Sequence, residues 1–520
     1  MKHLTKDINL SDKTVLIMGL GLNGGGVGTA KFLAPKVKKL IITDLKSKEE
    51  LQDSIDQLKE FSNIEYKLNG HDINDFINVD IVFKGAGIKF TNQYIKAAID
   101  NNVIVDTDIG YFFELADFPI IGITGSKGKS TTTTLIYEIL KTTINDIILG
   151  GNITINPLTS INENNNTKLA VLELSSWQLS DLSIHKKSPN ISILTTIFPD
   201  HLNYYSSMEE YYEDKKYIFK FQKSDDYTII NIDNDYLYNS FINGEIKSNL
   251  IFVSNFDENS NIDKIDRIKK ISINKLPFFI VKYKNYLYLF KNKSFFSISD
   301  IEKYRNISNE SDLNILIDNS NFELFILPSL ENTRLQGEHN KTNIALSICA
   351  SLLNRISIEN IYNTLNNFSG PDFRLQKIRE LNNITFINDT TATVPDAVAA
   401  SINAVKSQAT KNKGRIILIA GGVDKKLPID NMAKAIFENV EKLYLLDGSG
   451  SDMLKEMLIK MGYKSIEDGW KDLKQLVKKA YQDSKENDII LLSPGFASFN
   501  LFVNEFERGK IFNSAVLSLE

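Results

Sequence analysis

The stretch FPIIGITGSKGKSTTTTLIYEIL, residues 118–140, constrains the fold more than any other part of the chain. An apolar run too short for a helix ends in a glycine-rich turn, and an amphipathic run follows. The pattern reads as strand, phosphate-binding loop and helix. In that geometry the backbone N–H groups of Gly125, Ser126, Lys127, Gly128, Lys129 and Ser130 face a phosphate, and the helix beginning near Ser130 adds its positive dipole end. Lys129 would neutralise phosphate charge, and Ser130 or Thr131 could reach Mg²⁺. The familiar spacing of such loops requires a glycine five residues before Gly128, where this chain has Ile123. The loop is therefore one residue out of step, and a plain glycine-rich turn with a solvated lysine is the alternative reading.

The same strand–loop–helix grammar recurs on both sides. TVLIMGLGLNGGG begins a βαβ unit whose second strand, KLIITD, ends at Asp44. Gly19, Gly21 and Gly24 have the spacing of a dinucleotide fingerprint, with Asp44 placed for a ribose hydroxyl. Beyond Gly370, the runs ITFIND, RIILIAGG, KLYLLDG and DIILLSPG each end in a polar or glycine-containing loop. Between about 231 and 332 the texture becomes rich in Asn, Lys, Ile and Phe, and its alternation predicts short antiparallel strands. The class is α/β with three domains.

Composition excludes several functions. At 520 residues and 42% hydrophobic, the chain can bury real cores, and a net charge of −5 gives no general attraction to nucleic acid or anionic lipid. The lone Cys349 excludes an internal disulfide and fits a reducing compartment. No run approaches membrane-spanning length, and the apolar run after the charged N-terminus ends in glycines, so it reads as a strand rather than a signal peptide. A cytoplasmic protein without membrane insertion or nucleic-acid partners is expected. Glu173, ending LAVLE, could hold Mg²⁺, although taken alone it reads better as a surface carboxylate or helix cap. His201 gains weight only from its neighbours, and spacing alone makes Lys215 a solvated surface charge.

Taken together, these pieces resemble the Mur ligases, ATP-dependent amide-forming ligases of peptidoglycan precursor synthesis, and most of all the glutamate-adding members. Thr124 to Thr131 resembles the family loop T-G-(T/S)-N-G-K-S-T, with Lys127 for Asn, which explains the shortened spacing. Gly151-Asn152-Ile153, ELSSWQL at 173–179, FPDHL at 198–202, GEHNKTN at 337–343, Arg374, Asn388-Asp389 and Ser493-Pro494 continue the family order. The resemblance implies a Rossmann-like UDP-substrate domain at 1–113, a central P-loop-type ATPase with a parallel sheet at 114–368 carrying an insertion near 231–332, and a Rossmann-like amino-acid-binding domain at 369–520.

It also implies roles. Lys129, Ser130 and Thr131 hold ATP phosphates and Mg²⁺; Asn340 and Asn343 contact adenine; Arg374 and Asp389 serve phosphates and ribose. Glu173, His201 and Lys215 serve the metals, with Lys215 matching the lysine that the family carbamylates. Leu22, Asn23, Asp44, Leu45 and Gly87 belong to the uridine nucleotide, and Asn152, Ser175, Gln178 and His201 to the muramoyl-peptide end. Thr391, Thr393, Lys425 and Ser498 match positions for the incoming amino acid. The implied substrates are UDP-N-acetylmuramoyl-L-alanine and glutamate, and a monomer is expected.

Two departures bear on the amino acid. Thr391 stands where the family usually has a lysine, and Glu505 where it often has an aromatic residue. L-Glutamate or another amino acid is therefore an alternative to D-glutamate. An NAD-dependent oxidoreductase using Gly19, Gly21, Gly24 and Asp44, and a non-catalytic nucleotide-binding protein, are the readings from other classes.

Overall fold

The structure is a computed structural model describing residues 2–21, 24–153, 156–161, 166–199, 204–256, 262–271, 275–295, 300–304, 321–331, 333–335, 338–424, 427–498 and 500–520. The expected site residues Leu22, Asn23, His201 and Lys425 lie outside them.

The short apolar runs become strands because helices cover both faces of the sheets they form. In the first sheet β1 (Thr14–Met18), β2 (Lys39–Thr43), β3 (Ile64–Lys67), β4 (Ile81–Lys84) and β5 (Ile104–Asp106) are all parallel, in the order β3-β2-β1-β4-β5. The order reverses between β1 and β4, and at such a switch point a crevice opens beyond the carboxyl ends of the strands. The helix Gly25–Leu33 starts there.

The second sheet contains β6 (Ile120–Thr124), β7 (Ile147–Gly151), β8 (Leu169–Glu173), β9 (Ile191–Leu194), β10 (Tyr227–Asn231), β11 (Asn249–Phe256), β12 (Phe278–Tyr283), β13 (Tyr286–Asn292) and β14 (Phe322–Ile326). Their order is β14-β13-β12-β11-β10-β9-β6-β8-β7. The antiparallel pairing expected after residue 231 appears in β12–β13–β14. β11, however, pairs parallel with both β10 and β12, so this region extends the central sheet rather than sitting apart from it. The aromatic residues responsible are buried: Phe279 stacks between Phe252 and Phe290 at ring separations of 4.7 and 4.5 Å.

The third sheet has β15 (Gln376–Leu381), β16 (Ile384–Asn388), β17 (Ile416–Gly421), β18 (Lys442–Leu446), β19 (Ile466–Trp470) and β20 (Ile489–Leu492), ordered β15-β16-β20-β17-β18-β19. All pairs are parallel except the hairpin β15–β16. Its two-residue turn is Asn382-Asn383, both left-handed at φ 51° and 59°, as a type I′ turn requires.

The chain divides into two compact units, Met1–Phe368 and Ser369–Glu520. The division expected at residue 113 falls inside the first, because one apolar core runs through Val15, Phe112, Leu172 and Phe252. A polar network crosses the same point. Asp106 accepts from the Leu4 N–H at 2.8 Å and lies 2.9 Å from His185 Nε2, while His185 Nδ1 lies 3.2 Å from Glu114. Burial works against a charge on His185, but the two carboxylates outweigh it and raise the imidazole above its ordinary value.

The second unit encloses two ionisable side chains. Arg508 has no exposed surface, and burial lowers it to about 9 although it donates to Thr390 Oγ1 at 2.9 Å and to the Thr390 carbonyl at 3.0 Å. Asp389, just after β16, is pushed up to about 6 by burial, against bonds from Ser401, Ser493 and the Leu375 N–H. The folded state therefore holds the Asp389 proton more tightly than the unfolded chain between about pH 4 and 6, so this group's contribution to stability falls as pH rises through that window. Asp389→Asn is expected to stabilise the unit at pH 7.5 by on the order of 2 kcal/mol, with the difference closing below about pH 4. Calorimetry of the two proteins across this range checks it; a variant less stable at pH 7.5 would refute it.

Candidate active site

The phosphate loop is built where no side chain fits. Gly125 has φ 145°, and a Cβ there would lie 2.0 Å from Thr195 Oγ1; Gly128 has φ 87°, and a Cβ would lie 2.4 Å from Asn343 Oδ1. Both glycines thus serve a backbone conformation and a close approach that another residue would strain. The helix Lys129–Leu140 begins directly after them, with no side-chain cap on its first N–H groups. Uncapped donors of this kind suit an anion.

Neighbouring strands fasten the loop. The Ser126 N–H donates to the Thr196 carbonyl at 2.7 Å, and Thr195 Oγ1 donates to the Lys127 carbonyl at 2.5 Å. Ser126 is buried, with its hydroxyl 2.9 Å from both the carbonyl and the N–H of Phe198, so its side chain braces the loop. Lys127 is exposed, and Ser130 and Thr131 are half-buried in the first helical turn. Lys129 folds back over its own loop, donating to the Gly125 carbonyl at 2.9 Å and to that of Ser126 at 3.3 Å.

Lys215 overturns the reading from spacing. It lies on the helix Met208–Lys220, is 1% exposed, and reaches Thr124 Oγ1 and the Gly125 carbonyl, each at 3.3 Å. Tyr211, one helical turn earlier, presents its ring 4.6 Å from the ammonium. The side chain is therefore enclosed at the head of the glycine-rich loop.

Glu173 comes to the same place because β8 pairs with β6, with Ile123 opposite Glu173. Its carboxylate is 2% exposed. One oxygen accepts from Asn152 Nδ2 at 2.9 Å; the other, Oε2, is buried with no hydrogen-bond partner among the described residues. A buried carboxylate oxygen left over in this way calls for a cation or an ordered water. A carboxylate oxygen is the kind of hard donor that Mg²⁺ prefers, and Glu173 could serve as one. Asn343, on the helix Glu338–Leu353, abuts Gly128 and so packs this helix against the loop, and it also donates to Asn340 Oδ1 at 3.1 Å.

A cavity of about 260 Å³ lies between the glycine-rich turn after β1 and the central sheet, lined in part by Gly19, Gly25, Gly26, Asn152 and Gln178. Ser175 and Gln178 form a reciprocal capping box on the helix Ser176–Leu182: Ser175 Oγ accepts from the Gln178 N–H at 3.2 Å, and Gln178 Oε1 accepts from the Ser175 N–H at 3.1 Å. These two residues fix the helix start, and Gln178 also faces the cavity. Asp44 likewise works on the protein itself, with Oδ2 accepting from the N–H groups of Leu20 and Gly21 at 2.9 and 3.1 Å. Leu45 beside it is 71% exposed, an apolar shelf at the strand end. Gly87 has open space where a Cβ would stand.

In the second unit, Arg374 is exposed between Phe373 and Leu375, both left-handed at φ 64° and 44°, and the Leu375 N–H donates to Asp389 Oδ1 at 3.1 Å. Thr391 spends its hydroxyl on the Phe373 carbonyl at 2.9 Å. Thr393 is half-buried, and Ser498 is 2% exposed with a hydroxyl lacking a partner among the described residues. Sequence reasoning missed the bracing role of Thr195 and Thr196 and the Tyr211 ring over Lys215; of these, only the Tyr211–Lys215 spacing of four was visible beforehand.

Comparison with known proteins agrees with this geometry. Residues 123–351 match the Mur ligase middle domain, and residues 373–496 match the Mur ligase glutamate ligase domain. The UDP-N-acetylmuramoylalanine--D-glutamate ligase of Borreliella afzelii (strain PKo) is 35% identical over 96% of this chain and 97% of its own length. The protein of the same name from Roseiflexus sp. (strain RS-1) is 29% identical over 98% of this chain and all of its own. Among solved structures, the UDP-N-acetylmuramate-alanine ligase MurC of Thermotoga maritima is 16% identical, with a TM-score of 0.53 over 97% of this chain and 99% of that one, a likeness of fold alone. No helix among the described residues is long and apolar enough to cross a membrane. With a phosphate loop of this spacing, an enclosed Lys215 and an orphaned Glu173 oxygen at its head, and relatives that match along nearly their whole length, the chain belongs to the Mur ligase family of ATP-dependent ligases.

Proposed function

We propose that this chain joins D-glutamate to UDP-N-acetylmuramoyl-L-alanine in peptidoglycan precursor synthesis, at the expense of ATP. The observation that carries this reading is the convergence of Lys129, Lys215 and the unpartnered Glu173 oxygen on one glycine-rich loop. The names and full-length match of the relatives supply the substrates.

A carboxylate is a poor electrophile toward an amine. Transfer of the γ-phosphoryl group to the alanine carboxylate gives an acyl phosphate and ADP. The glutamate amine then attacks the acyl carbon, phosphate departs with one former carboxylate oxygen, and the amine loses its proton. Lys129 turns from the Gly125 and Ser126 carbonyls toward the transferring phosphoryl group, whose charge the loop N–H groups also meet. Mg²⁺, when bound, spreads that charge further, and Glu173 and Ser130 are the described residues that fit it. Carbamylation of Lys215 would exchange an ammonium for a carboxylate on a long arm at the same point. Asn152 holds Glu173 in orientation. In the second unit, Thr393 and Ser498 receive glutamate, while Thr391 donates its one O–H to the Phe373 carbonyl and brings no charge, which is why the stereochemistry of the amino acid is the point to test.

ADP release with ATP, Mg²⁺ and UDP-N-acetylmuramoyl-L-alanine is expected with D-glutamate and not with L-glutamate. Turnover with L-glutamate alone would reassign the amino acid while keeping the ligase chemistry; silence with both would refute the substrates. Lys129→Ala is expected to lower kcat by roughly 100- to 1,000-fold, as loss of a preorganised transition-state contact does. Lys215→Ala is expected to be inactive and partly restored by short carboxylates such as formate. Full activity without them would remove Lys215 from the mechanism.

A further inference from the structure

Lys84 ends β4 at the switch point of the first sheet, where Met18 of β1 is its register partner and Gly19 follows. Its side chain is 1% exposed, yet it lines the cavity shared by Gly25, Gly26 and Asn152. Its ammonium is 2.5 Å from Asp181 Oδ1, and the Phe90 ring lies 4.3 Å away. The ion pair is incomplete. Asp181 Oδ2 is buried without a hydrogen-bond partner among the described residues, and burial pushes this carboxyl up to about 7 despite the adjacent lysine.

A buried ion pair repays its desolvation only when further hydrogen bonds complete it, so this one is a weak device for stability. Its position makes better sense for binding. In the same cavity Gly25 has open space where a Cβ would stand, and the helix it begins has no side-chain cap and no acidic residue in its first turn; the one carboxyl among the lining residues, Asp108, accepts from the Ile109 N–H and Asn156 Nδ2, and burial raises it toward its neutral form. The cavity therefore brings a buried ammonium together with a helix start that has no side-chain cap, a combination suited to a multiply charged anion. Asn152 and Gln178, assigned to the muramoyl-peptide end, lie on the same cavity wall, so an anion here sits between nucleoside and sugar.

We propose that Lys84 is a substrate-binding residue whose ammonium engages the diphosphate of the nucleotide-sugar substrate, exchanging Asp181 for phosphate oxygens as the substrate enters. The inference rests on the proposed substrate and adds a residue to its recognition.

Calorimetric titration of the full chain with UDP and with uridine tests it, using the wild type, Lys84→Met and the double variant Lys84→Met/Asp181→Leu. Lys84→Met is expected to weaken UDP about tenfold and leave uridine unchanged, as loss of a charge-assisted contact does. The double variant, which removes the stranded carboxylate as well, is expected to stay weak for UDP. In turnover, Lys84→Met is expected to raise KM for the nucleotide-sugar about tenfold while kcat is retained. Restoration of UDP affinity by the Asp181 change, or equal losses for UDP and uridine, would make Lys84 a structural partner of Asp181 and overturn the proposal. Unaltered UDP affinity in Lys84→Met would overturn it while leaving the functional reading intact. Failure of the wild type to bind UDP at all would refute the nucleotide-sugar reading and the proposal with it.

Discussion

The site depends on a close approach that only glycine permits. At Gly125 a side chain would strike Thr195, and at Gly128 it would strike Asn343. Because neither has a Cβ, the end of β9, the helix Glu338–Leu353 and the loop meet in a space otherwise too small. Lys215 arrives at the Gly125 carbonyl from a third direction, and Glu173 from the adjacent strand. Replacing either glycine would displace Lys215 and Asn343 along with the loop, since both pack on its backbone.

The groups that gather there are ones a protein built for stability alone would leave outside. Lys215 is enclosed, and Glu173 keeps an oxygen with no partner among the described residues; in the second unit, taken by itself, burial raises Asp389. Each carries a desolvation cost that packing elsewhere must offset. The offset is visible in the cores on both faces of every sheet, and in the stacked phenylalanines of the extended central sheet. The same reasoning separates bracing residues from reactive ones. Ser126, Asp44 and Ser175 have their polar atoms occupied by neighbouring backbone, whereas Glu173 and Ser498 retain atoms with nothing to bond among the described residues.

Much of the fold was legible because its strands are buried on both faces and read as uninterrupted apolar runs: β1, β2, β6, β8, β9, β16, β17, β18 and β20 all stand where such runs predict them. β15 and β19 were not legible, since QKIREL and IEDGW lack such a run and are only partly buried. The Asn382-Asn383 dipeptide between β15 and β16 was a usable hairpin signal. So was the capping box, since Ser175 and Gln178 stand at its spacing. The glycine-rich loop was legible from the strand before it and the helix after it, although its spacing is one residue out of step. Lys215 was not, because EDKK on a helix looks solvated unless one knows what packs over it. Lys84 was hidden for the same reason: its partner Asp181 is 97 residues away in sequence.

The most direct measurement follows oxygen-18 from the alanine carboxylate of UDP-N-acetylmuramoyl-L-alanine during turnover with ATP, Mg²⁺ and D-glutamate. If the γ-phosphoryl group passes to that carboxylate, each phosphate released carries one labelled oxygen, and its mass spectrum shifts accordingly. Unlabelled phosphate accompanying amide formation would contradict phosphoryl transfer to the carboxylate and the roles assigned here to Lys129, Glu173 and Lys215.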